Sequence, residues 1–389
     1  MLKITELLTI KHQRVRLAIS LFFFSHGLVL SSWASRIPDI KTNFRLSDAE
    51  LGILLLFMPI GQIITMPFSA RIIRKYGSLN TVRFGFLFYP LILLLIGLST
   101  SYIHLAIALF LFGMVGNLCN ISINTQGVEL ESVMHKPMMA SFHGAWSISG
   151  FAGALIALVM LNLNLAISIH FFVIFLLVVT IWAFNFRLLL PSLPSQGEKK
   201  DSGSIFKHLD KNLVHLGIIG FLSMAIEGAM FDWSGVYFQD IVKAPEQLII
   251  LGYTSFVLMM ALGRFLGDYF VIKLGRKRVV QLSGILMSSG LILSVCFPDP
   301  LICAFAFMIV GLGGSCSVPT VYGVVGKIIN VDPSISLTLV STIAFLGFLV
   351  GPPVIGFVAE IFDLRYSYLL FSIFGVIMFF VADRTKAFN

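Results

Sequence analysis

Residues Pro191 to Asn212 read PSLPSQGEKKDSGSIFKHLDKN, the longest polar stretch in the sequence. Proline, serine, glycine and mixed charge are typical of a flexible linker, so this stretch predicts a boundary between two parts of the chain. On both sides of it the sequence is strongly apolar, and of all 389 residues 57% are hydrophobic and only 12% are charged. A soluble protein of this size could not cover so apolar a surface, so the composition predicts an integral membrane protein.

Apolar blocks of about 20 residues, each long enough to cross a hydrocarbon core of about 30 Å, recur on both sides of the linker. They predict twelve membrane-spanning helices, at residues 16–35, 48–69, 79–99, 102–126, 138–161, 165–188, 213–239, 248–271, 279–297, 300–326, 335–359 and 364–382. A β-barrel would need short alternating strands, so these unbroken blocks favour helices. The expected fold is all-α, with six-helix bundles at residues 1–189 and 213–389 and a cytoplasmic linker at 190–212.

The first apolar block has a basic N-terminal flank, as a signal peptide does. However, Trp33 and Arg36 follow it where a cleavage site of small residues would be needed, and a second block comes directly after. We therefore expect this block to be retained as the first helix.

The formal net charge of +8 raises the alternative of a nucleic-acid partner. Most of the 27 Lys and Arg residues, however, fall in alternate loops, which predicts both termini in the cytoplasm of a bacterium with an inner membrane. The positive charge is then explained by the topology of the chain in the membrane. The expected partners of the basic residues are the anionic headgroups of the bilayer, and no nucleic-acid partner is expected. The four cysteines show no metal-ligand spacing, so neither a metal nor another cofactor is expected.

The two halves of the sequence repeat each other in order. An offset of 200 residues changes to 198 along the chain, as one two-residue deletion in a loop would produce. The matching positions are Trp33 with Trp233, Leu51-Gly52 with Leu251-Gly252, Lys75-Tyr76-Gly77 with Lys273-Leu274-Gly275, Gly113 with Gly311, and Gly153 with Gly351. Duplicated six-helix halves predict a transporter that binds its substrate near the membrane midplane and rocks about it.

With this architecture, the segments WASRIPDIK, NTQGVELE, SFHGAWSISGFAGA, EGAMFDWS, GRFLGD and GFLVGPPVIGFVAE make the whole chain similar to the major facilitator superfamily. Within it they resemble the branch of fucose-permease-like and rhizopine-transport-like proteins. The resemblance implies two pseudo-symmetric bundles, a small-molecule solute and a protein that functions as a monomer.

One loop departs from the pattern of the superfamily. Its motif between the second and third helices has an acid three residues before the glycine, where this chain has Arg74 before Gly77. The second copy keeps the basic residues that follow the glycine, namely Arg276, Lys277 and Arg278. We therefore expect a charged gating contact at the inner face of the second half.

Two further charges, Arg264 and Asp268, lie four residues apart in the eighth helix, where they could pair across one helical turn. Because charges inside a membrane are stabilised by pairing, we interpret them as a structural clamp. His143, near the start of the fifth helix, is expected to form a charged contact with Glu131 at the end of the fourth.

Asn117, Asn120, Asn124 and Glu131 fall within about 60° of one another on the fourth helix, at about 100° per residue. An asparagine stripe suits hydroxyl-rich or amide-bearing solutes, so it is a candidate lining for the substrate cavity. The alternative is hydrogen bonding between helices. Glu131 is also a candidate for proton coupling.

Ser25, Ser32 and Arg36 share a face of the first helix, with the two serines as cavity candidates. Arg36 is expected at the outer mouth, either attracting an anion or anchoring the interface. His26 is a candidate proton site because histidine titrates near neutral pH, although a packing role is the common alternative.

Glu227 and Asp232 lie inside the seventh apolar block, where an acid facing lipid is strongly disfavoured. A carboxyl group in a dry cavity can stay protonated near neutral pH and release its proton when water enters, as proton coupling requires. Glu227 is the first candidate and Asp232 the second. The two can face one cavity only if the helix bends, because they are about 140° apart.

Trp33, Trp233 and Tyr237 could stack on the apolar face of a sugar ring and so line the cavity. The alternative is an aromatic belt at the membrane interface.

Together these features predict a transporter, not an enzyme, that carries a sugar-like or polyol-like solute by proton-coupled symport. A proton-coupled antiporter that exports drugs or metabolites is the first alternative. A membrane sensor that does not transport is the second. The sequence has no phosphate-binding GxxxxGK loop for ATP-driven pumping and no HExxH or GxSxG motif of hydrolytic enzymes.

Overall fold

The computed structural model describes residues 2–134, 138–191, 211–325 and 333–388. Within these ranges, the side chains of residues 2–11, 70, 140, 268, 333–335 and 337–338 are outside the description. Most of the predicted linker, residues 192–210, also lies outside it.

The described residues form α-helices, followed by a short 3-10 turn at Lys386–Phe388. The helices are α1 (Leu2–Ala34), α2 (Ile37–Phe44), α3 (Asp48–Gly97), α4 (Tyr102–Met134), α5 (Met139–Asn162), α6 (Ile167–Asn185), α7 (Lys211–Asp240), α8 (Glu246–Leu274), α9 (Arg276–Cys296), α10 (Pro300–Val325), α11 (Pro333–Ile361) and α12 (Leu364–Arg384).

The described residues contain twelve helical segments that are long and apolar enough to cross a membrane, which confirms the predicted count and the all-α class. The first of them, His12–Phe44, joins α1 to α2, whereas α3 supplies two, Asp48–Ser69 and Arg71–Gly97. The backbone of α3 leaves the helical conformation at Gly77, so the third membrane helix begins directly after this residue, close to the predicted start at 79.

Two glycines end a helix in the same unusual backbone conformation. Gly77 interrupts α3 with φ 81° and ψ 154°, and Gly275 separates α8 from α9 with φ 80° and ψ 154°. This region of positive φ is open almost only to glycine. The two glycines are 198 residues apart, so the repeat seen in the sequence extends to the backbone.

Contacts divide the chain into two compact units. One contains the described residues up to Arg36 and those from Phe57 to Pro191, and in it α1 packs against α4, α5 and α6. The other contains residues 37–56 and those from Lys211 onward, so α2 and the first turns of α3 belong to it. The predicted bundles at 1–189 and 213–389 remain a prediction.

In the second unit α7 contacts α8, α10, α11 and α12, and α10 also packs against α8 and α9. Small residues allow the close approach. A Cβ at Gly351 of α11 would lie 3.2 Å from the carbonyl oxygen of Ala225 in α7. At Gly314 of α10 it would lie 3.4 Å from the Cγ of Glu227. Membrane helices commonly pack through such positions, and here they bring α10 and α11 close to α7, which carries the acid.

Candidate functional site

Glu227 lies in the middle of α7 and is 5% exposed. Its Oε1 accepts a hydrogen bond of 3.2 Å from Ser223, one turn earlier on the same helix. Its Oε2 lies 3.9 Å from a guanidinium nitrogen of Arg264 in α8, which is within ion-pair range but longer than a hydrogen bond. The acid is therefore inside the protein with both a hydroxyl group and a cation beside it.

The hydroxyl of Ser223 continues from Glu227 to α10. Its Oγ lies 2.5 Å from the Oγ of Ser317, which in turn lies 3.2 Å from the carbonyl oxygen of Gly314. Tyr322, further along α10, is close enough to interact electrostatically with Glu227. The carboxyl group of Glu227, the hydroxyl groups of Ser223 and Ser317 and the carbonyl oxygen of Gly314 thus form one continuous row, the serine row.

Sequence reasoning found Glu227 but missed its neighbours. Ser223 could have been recognised by its spacing of four residues, which places it one turn away on the same helix face. Ser317 and Tyr322 carried no such signal, because their proximity depends on how α10 packs against α7.

Arg264 was expected to pair with Asp268, but the side chain of Asp268 lies outside the described residues, and the pair stays a prediction. The structure instead places Arg264 near Glu227, with a further contact of 3.6 Å to the sulfur of Met260. The side chain of Arg264 is 34% exposed and that of Glu227 only 7%. The cation is therefore less enclosed by protein than the acid.

Asp232 does not share the site of Glu227. Helix α7 runs without interruption from Lys211 to Asp240, so the two acids stay about 140° apart around its axis. Asp232 lies on the face of α7 that carries Gly228 and Gly235, which approach Phe348 of α11 and Pro38 of α2. Within the described part of the chain, its half-buried carboxylate has no hydrogen-bond or ion-pair partner.

The predicted asparagine stripe forms an open face of α4. Asn120 is exposed, while Asn117 and Asn124 are half-buried. The amide of Asn124 donates to the side-chain and backbone oxygens of Asn120, both at 2.8 Å, and that of Asn117 lies 3.5 Å from Ser69. A polar face is therefore present in the first unit, and its contact with a solute stays a prediction.

Glu131 ends this stripe but has a structural role. Its Oε1 accepts hydrogen bonds from the backbone N–H groups of Met138 and Met139, the latter at 2.7 Å. These groups lie at the start of α5, where backbone donors lack partners within the helix. These are the contacts of a helix cap and give no support to proton coupling by Glu131, which stays a prediction.

A polar cluster on α4 was missed because its residues point away from the asparagine stripe. The amide nitrogen of Gln126, which has two hydrogens to donate, lies within hydrogen-bonding distance of Ser78 at 2.7 Å, of Glu129 at 3.1 Å and of the carbonyl oxygen of Leu190 at 3.1 Å. The backbone N–H of Leu190 donates back to Gln126 at 2.9 Å. Gln126 thus attaches the chain that leaves α6 to the end of α4.

His26 is buried and both ring nitrogens are bonded. The indole N–H of Trp146 can only donate, so Nδ1 of His26, at 3.1 Å, is the acceptor. Nε2 then carries the hydrogen and donates to the carbonyl oxygen of Gly116 at 3.1 Å. The ring also stacks on Tyr89 at 5.2 Å. These contacts favour the packing alternative, and the role of His26 as a proton site stays a prediction.

The remaining candidates of the first helix are also buried. Ser25 and Ser32 are fully buried and donate to the carbonyl oxygens four residues before them, both at 2.8 Å. Arg36, expected at an open mouth, is 2% exposed and donates to His170 at 3.2 Å and to the carbonyl oxygen of Leu165 at 3.0 Å. The open position expected for Arg36 is therefore corrected, since this face packs against helices, whereas the cavity role of the two serines stays a prediction.

Trp33, Trp233 and Tyr237 are at most 1% exposed. Both the interfacial belt and the sugar-stacking role need an accessible ring face, so this closed packing supports neither, and both stay predictions. The ring of Tyr237 stacks on Tyr368 at 4.4 Å, and its hydroxyl donates to the carbonyl oxygen of Ser294 at 3.0 Å.

The predicted gating residues lie at the start of α9 and of α5. Lys277 forms an ion pair of 3.0 Å with Asp383, whereas Arg276 is half-buried and Arg278 is exposed. His143 is exposed and meets the ring of Phe23 edge-on at 5.3 Å. The role of these four residues in gating stays a prediction.

A charged cluster of the second unit was not anticipated. Lys41 of α2 donates to Asp48 at 2.5 Å and to Asp240 at the end of α7. Glu360 of α11 accepts from the backbone N–H of Ala49 at 3.1 Å. These contacts fix α2 and the start of α3 against α7 and α11. The residues of this cluster have no regular spacing in the sequence from which these contacts could have been predicted.

A sequence profile described as Major Facilitator Superfamily matches residues 17–253 and 235–386. The chain belongs to the Major Facilitator Superfamily. This confirms the predicted membership and the conclusion that the protein is an integral membrane transporter rather than an enzyme.

Several relatives cover almost the whole chain. An uncharacterized MFS-type transporter of Yersinia pestis is 31% identical over 369 residues, 94% of each chain. Membrane protein MosC of Rhizobium meliloti is 30% identical over 361 residues, 93% of this chain and 88% of that protein.

Among solved structures, a variant of the nucleoside transporter NupG has a TM-score of 0.80 at 15% identity, covering 96% of this chain and all of that one. A bacterial homologue of the lysosomal transporter Spinster has a TM-score of 0.75 at 12% identity, covering 97% and 98%. At these identities the likeness concerns the fold alone.

Proposed function

We propose that this member of the Major Facilitator Superfamily is a proton-coupled symporter of a small polar solute, sugar-like or polyol-like. The observation that carries the proposal is the buried Glu227, which has Ser223 on one side and Arg264 on the other. Buried intramembrane acids with polar partners are characteristic of proton relays.

The row from Glu227 to Gly314 can hold its hydrogens in two directions. When Glu227 is protonated, it donates to Ser223, Ser223 donates to Ser317, and Ser317 donates to the carbonyl oxygen of Gly314. When Glu227 is ionised, Ser317 donates to Ser223 and Ser223 donates to the carboxylate. Each hydroxyl has one hydrogen to donate and can accept in return, so both states use every donor.

Arg264 gives the ionised state a counter-charge. Its guanidinium is always positive, and at 3.9 Å from the carboxylate it needs only a small movement to form a direct bond. We infer that loss of the proton draws Arg264 toward Glu227, while protonation releases it. This movement is the proposed link between the proton and the rocking of the two halves.

The solute is proposed to bind at the asparagine face of α4. The exposed amide of Asn120 and its neighbour Asn124 offer donors and acceptors without fixed charge, as a hydroxyl-rich solute requires. A thermal-shift screen of sugars, polyols, amino sugars and nucleosides identifies the solute class, because a ligand of the native state raises its apparent stability.

The distribution of basic residues supports a bacterial inner membrane as location, with both termini in the cytoplasm and anionic lipids around the basic loops. We further propose that the protein acts as a monomer built of two bundles, residues 1–189 and 213–389. Reporter fusions at the C-terminus test the orientation, and an externally active reporter there would overturn it.

Proteoliposomes test the function. An inward proton gradient should drive accumulation of the solute, and Glu227→Gln should abolish this accumulation while solute exchange continues. Glu246→Gln is the matched control, since it makes the same chemical change at an exposed acid of α8. Normal accumulation by Glu227→Gln would refute the coupling role. Exchange of solute for protons in the export direction would indicate an antiporter, and absence of transport a sensor.

The serine row has its own test. Ser223→Ala and Ser317→Ala should each weaken proton-driven accumulation, because either change interrupts the row. Ser315→Ala is the control, since Ser315 lies on the same helix but donates to the carbonyl oxygen of Leu312. Equal effects of all three changes would show that only packing is disturbed.

A further inference from the structure

The first unit carries a groove of about 530 Å³ between α3 and α4. Its lining is mainly apolar and includes Ile72, Phe84 and Phe88 of α3 with Val115 and Leu118 of α4. This volume lies in the range of about 300 to 1,000 Å³ that is usual for small-molecule sites. The groove therefore has room for an apolar chain.

Large aromatic rings line the groove with their surfaces uncovered. Tyr76 is 55% exposed, Phe84 64% and Phe88 49%. Exposed apolar surface of this size is typical of a binding or membrane-contact region. In a membrane protein hydrocarbon covers it, so the natural occupant of the groove is an acyl chain.

Basic residues stand beside the groove. The amine of Lys75 lies 5.1 Å from the ring centre of Tyr76, which lines the groove. Arg71 and Arg74 are exposed on the same turn of α3. Arg74 is the residue that replaces the acid of the loop motif, so the departure from the motif makes this turn uniformly positive.

The second unit repeats the arrangement on a smaller scale. A groove of about 200 Å³ between α8, α9 and α10 is lined by residues at the same repeat positions, 198 residues later. Ile72 corresponds to Phe270, Tyr76 to Leu274 and Phe84 to Leu282. Lys273, the counterpart of Lys75, likewise lies over an aromatic ring, 5.5 Å from the centre of that of Tyr269. The grooves are thus a feature of the six-helix repeat.

We propose that the groove between α3 and α4 binds an anionic phospholipid. One acyl chain lies along Phe84 and Phe88, and the phosphate group meets Lys75 beside Tyr76, while Arg71 and Arg74 on the same turn add positive charge near it. Basic residues beside apolar clefts of membrane helices suit anionic headgroups. A neutral zwitterionic lipid would fill the groove equally well but would gain less from three positive charges. The smaller second groove binds more weakly.

Native mass spectrometry of the purified protein in detergent tests the proposal with phosphatidylglycerol and phosphatidylcholine of identical chains. The wild type should retain phosphatidylglycerol in preference to phosphatidylcholine. Replacing Arg71, Arg74 and Lys75 together with Gln should weaken phosphatidylglycerol binding by roughly tenfold or more, since each cation contributes near an anionic group. Leu118→Trp should reduce binding of both lipids, because it fills the groove.

A matched control removes three exposed positive charges elsewhere, by changing Arg14, Arg384 and Lys386 to Gln. This variant should retain phosphatidylglycerol like the wild type. Equal retention of both lipids by the wild type, an equal loss in the control variant, or displacement of the lipid by inorganic phosphate would each overturn the proposal. If Leu118→Trp does not fold, the two charge variants decide the outcome.

Discussion

Lys41 provides the sharpest prediction about stability. Its amine bonds to both Asp48 and Asp240, with side-chain exposures of 13% for Lys41, 21% for Asp48 and 35% for Asp240. Lys41→Met keeps the length of the side chain but leaves two facing carboxylates without their cation. Removing one partner of a buried ion pair costs about 3 to 5 kcal/mol, and an exposed pair contributes at most about 1 kcal/mol. For this partly exposed cluster we expect Lys41→Met to destabilise by about 2 to 4 kcal/mol.

The two acids should each have a smaller effect. In Asp48→Asn or Asp240→Asn the lysine keeps one carboxylate, so we expect a loss of about 1 to 2 kcal/mol. Combining Lys41→Met with both changes removes all three charges and should recover much of the loss.

Unfolding of the purified protein in detergent, followed by tryptophan fluorescence, measures the series. A double-mutant cycle then gives the coupling between Lys41 and each acid. The reasoning is refuted if Lys41→Met is no more destabilising than Asp240→Asn, or if the combined variant is the least stable of the series.

Three further changes test the site assignments. His26→Phe should destabilise by about 1 to 3 kcal/mol, since two buried hydrogen-bonding groups lose their partner, but the pH dependence of transport should not change. Glu131→Ala should lower the unfolding midpoint, because two backbone N–H groups at the start of α5 lose their acceptor, and should spare proton-driven accumulation, measured in the same vesicles. Gly275→Ala should cost about 1 to 3 kcal/mol through backbone strain alone, whereas Gly323→Ala, equally unobstructed but helical, should be neutral or slightly stabilising. A loss of coupling in either of the first two variants, or equal unfolding midpoints of the two alanine variants, would contradict these assignments.

The helices and their number could be predicted because a membrane demands long apolar blocks, which leave a direct trace in the sequence. The repeat was visible for a similar reason, since glycines such as Gly77 and Gly275 mark the same backbone break in each half. The helices and the repeat could therefore be predicted, because both depend on local composition.

The site was only partly accessible. Glu227 stood out because an acid is rare in such surroundings, and the helical period separated it correctly from Asp232. Its partner Arg264 was missed because a neighbour four residues away offered a local explanation for the arginine. Contacts between helices, such as Ser223 with Ser317, depend on side-chain packing that no single-helix pattern encodes.

The same dependence on packing between helices explains why the burial of side chains on the first helix was not predicted. Ser25, Ser32 and Trp33 share a polar or aromatic character that suits a cavity as well as a packed interface. Only the close fit of α1 against α5 decides between the two. Burial of this kind is a property of pairs of helices, so it could not be read from one of them.

Residue 27 occupies the position in the first half that Glu227 holds in the second. It is a glycine, and a Cβ there would lie 2.7 Å from the carbonyl oxygen of Trp146 and 3.1 Å from the Cδ1 of its ring. Duplication therefore produced two scaffolds of which only one retains space for an ionisable side chain. A design that aims to transport two protons per cycle by copying the acid into the first half would have to rebuild α5 before it changed α1.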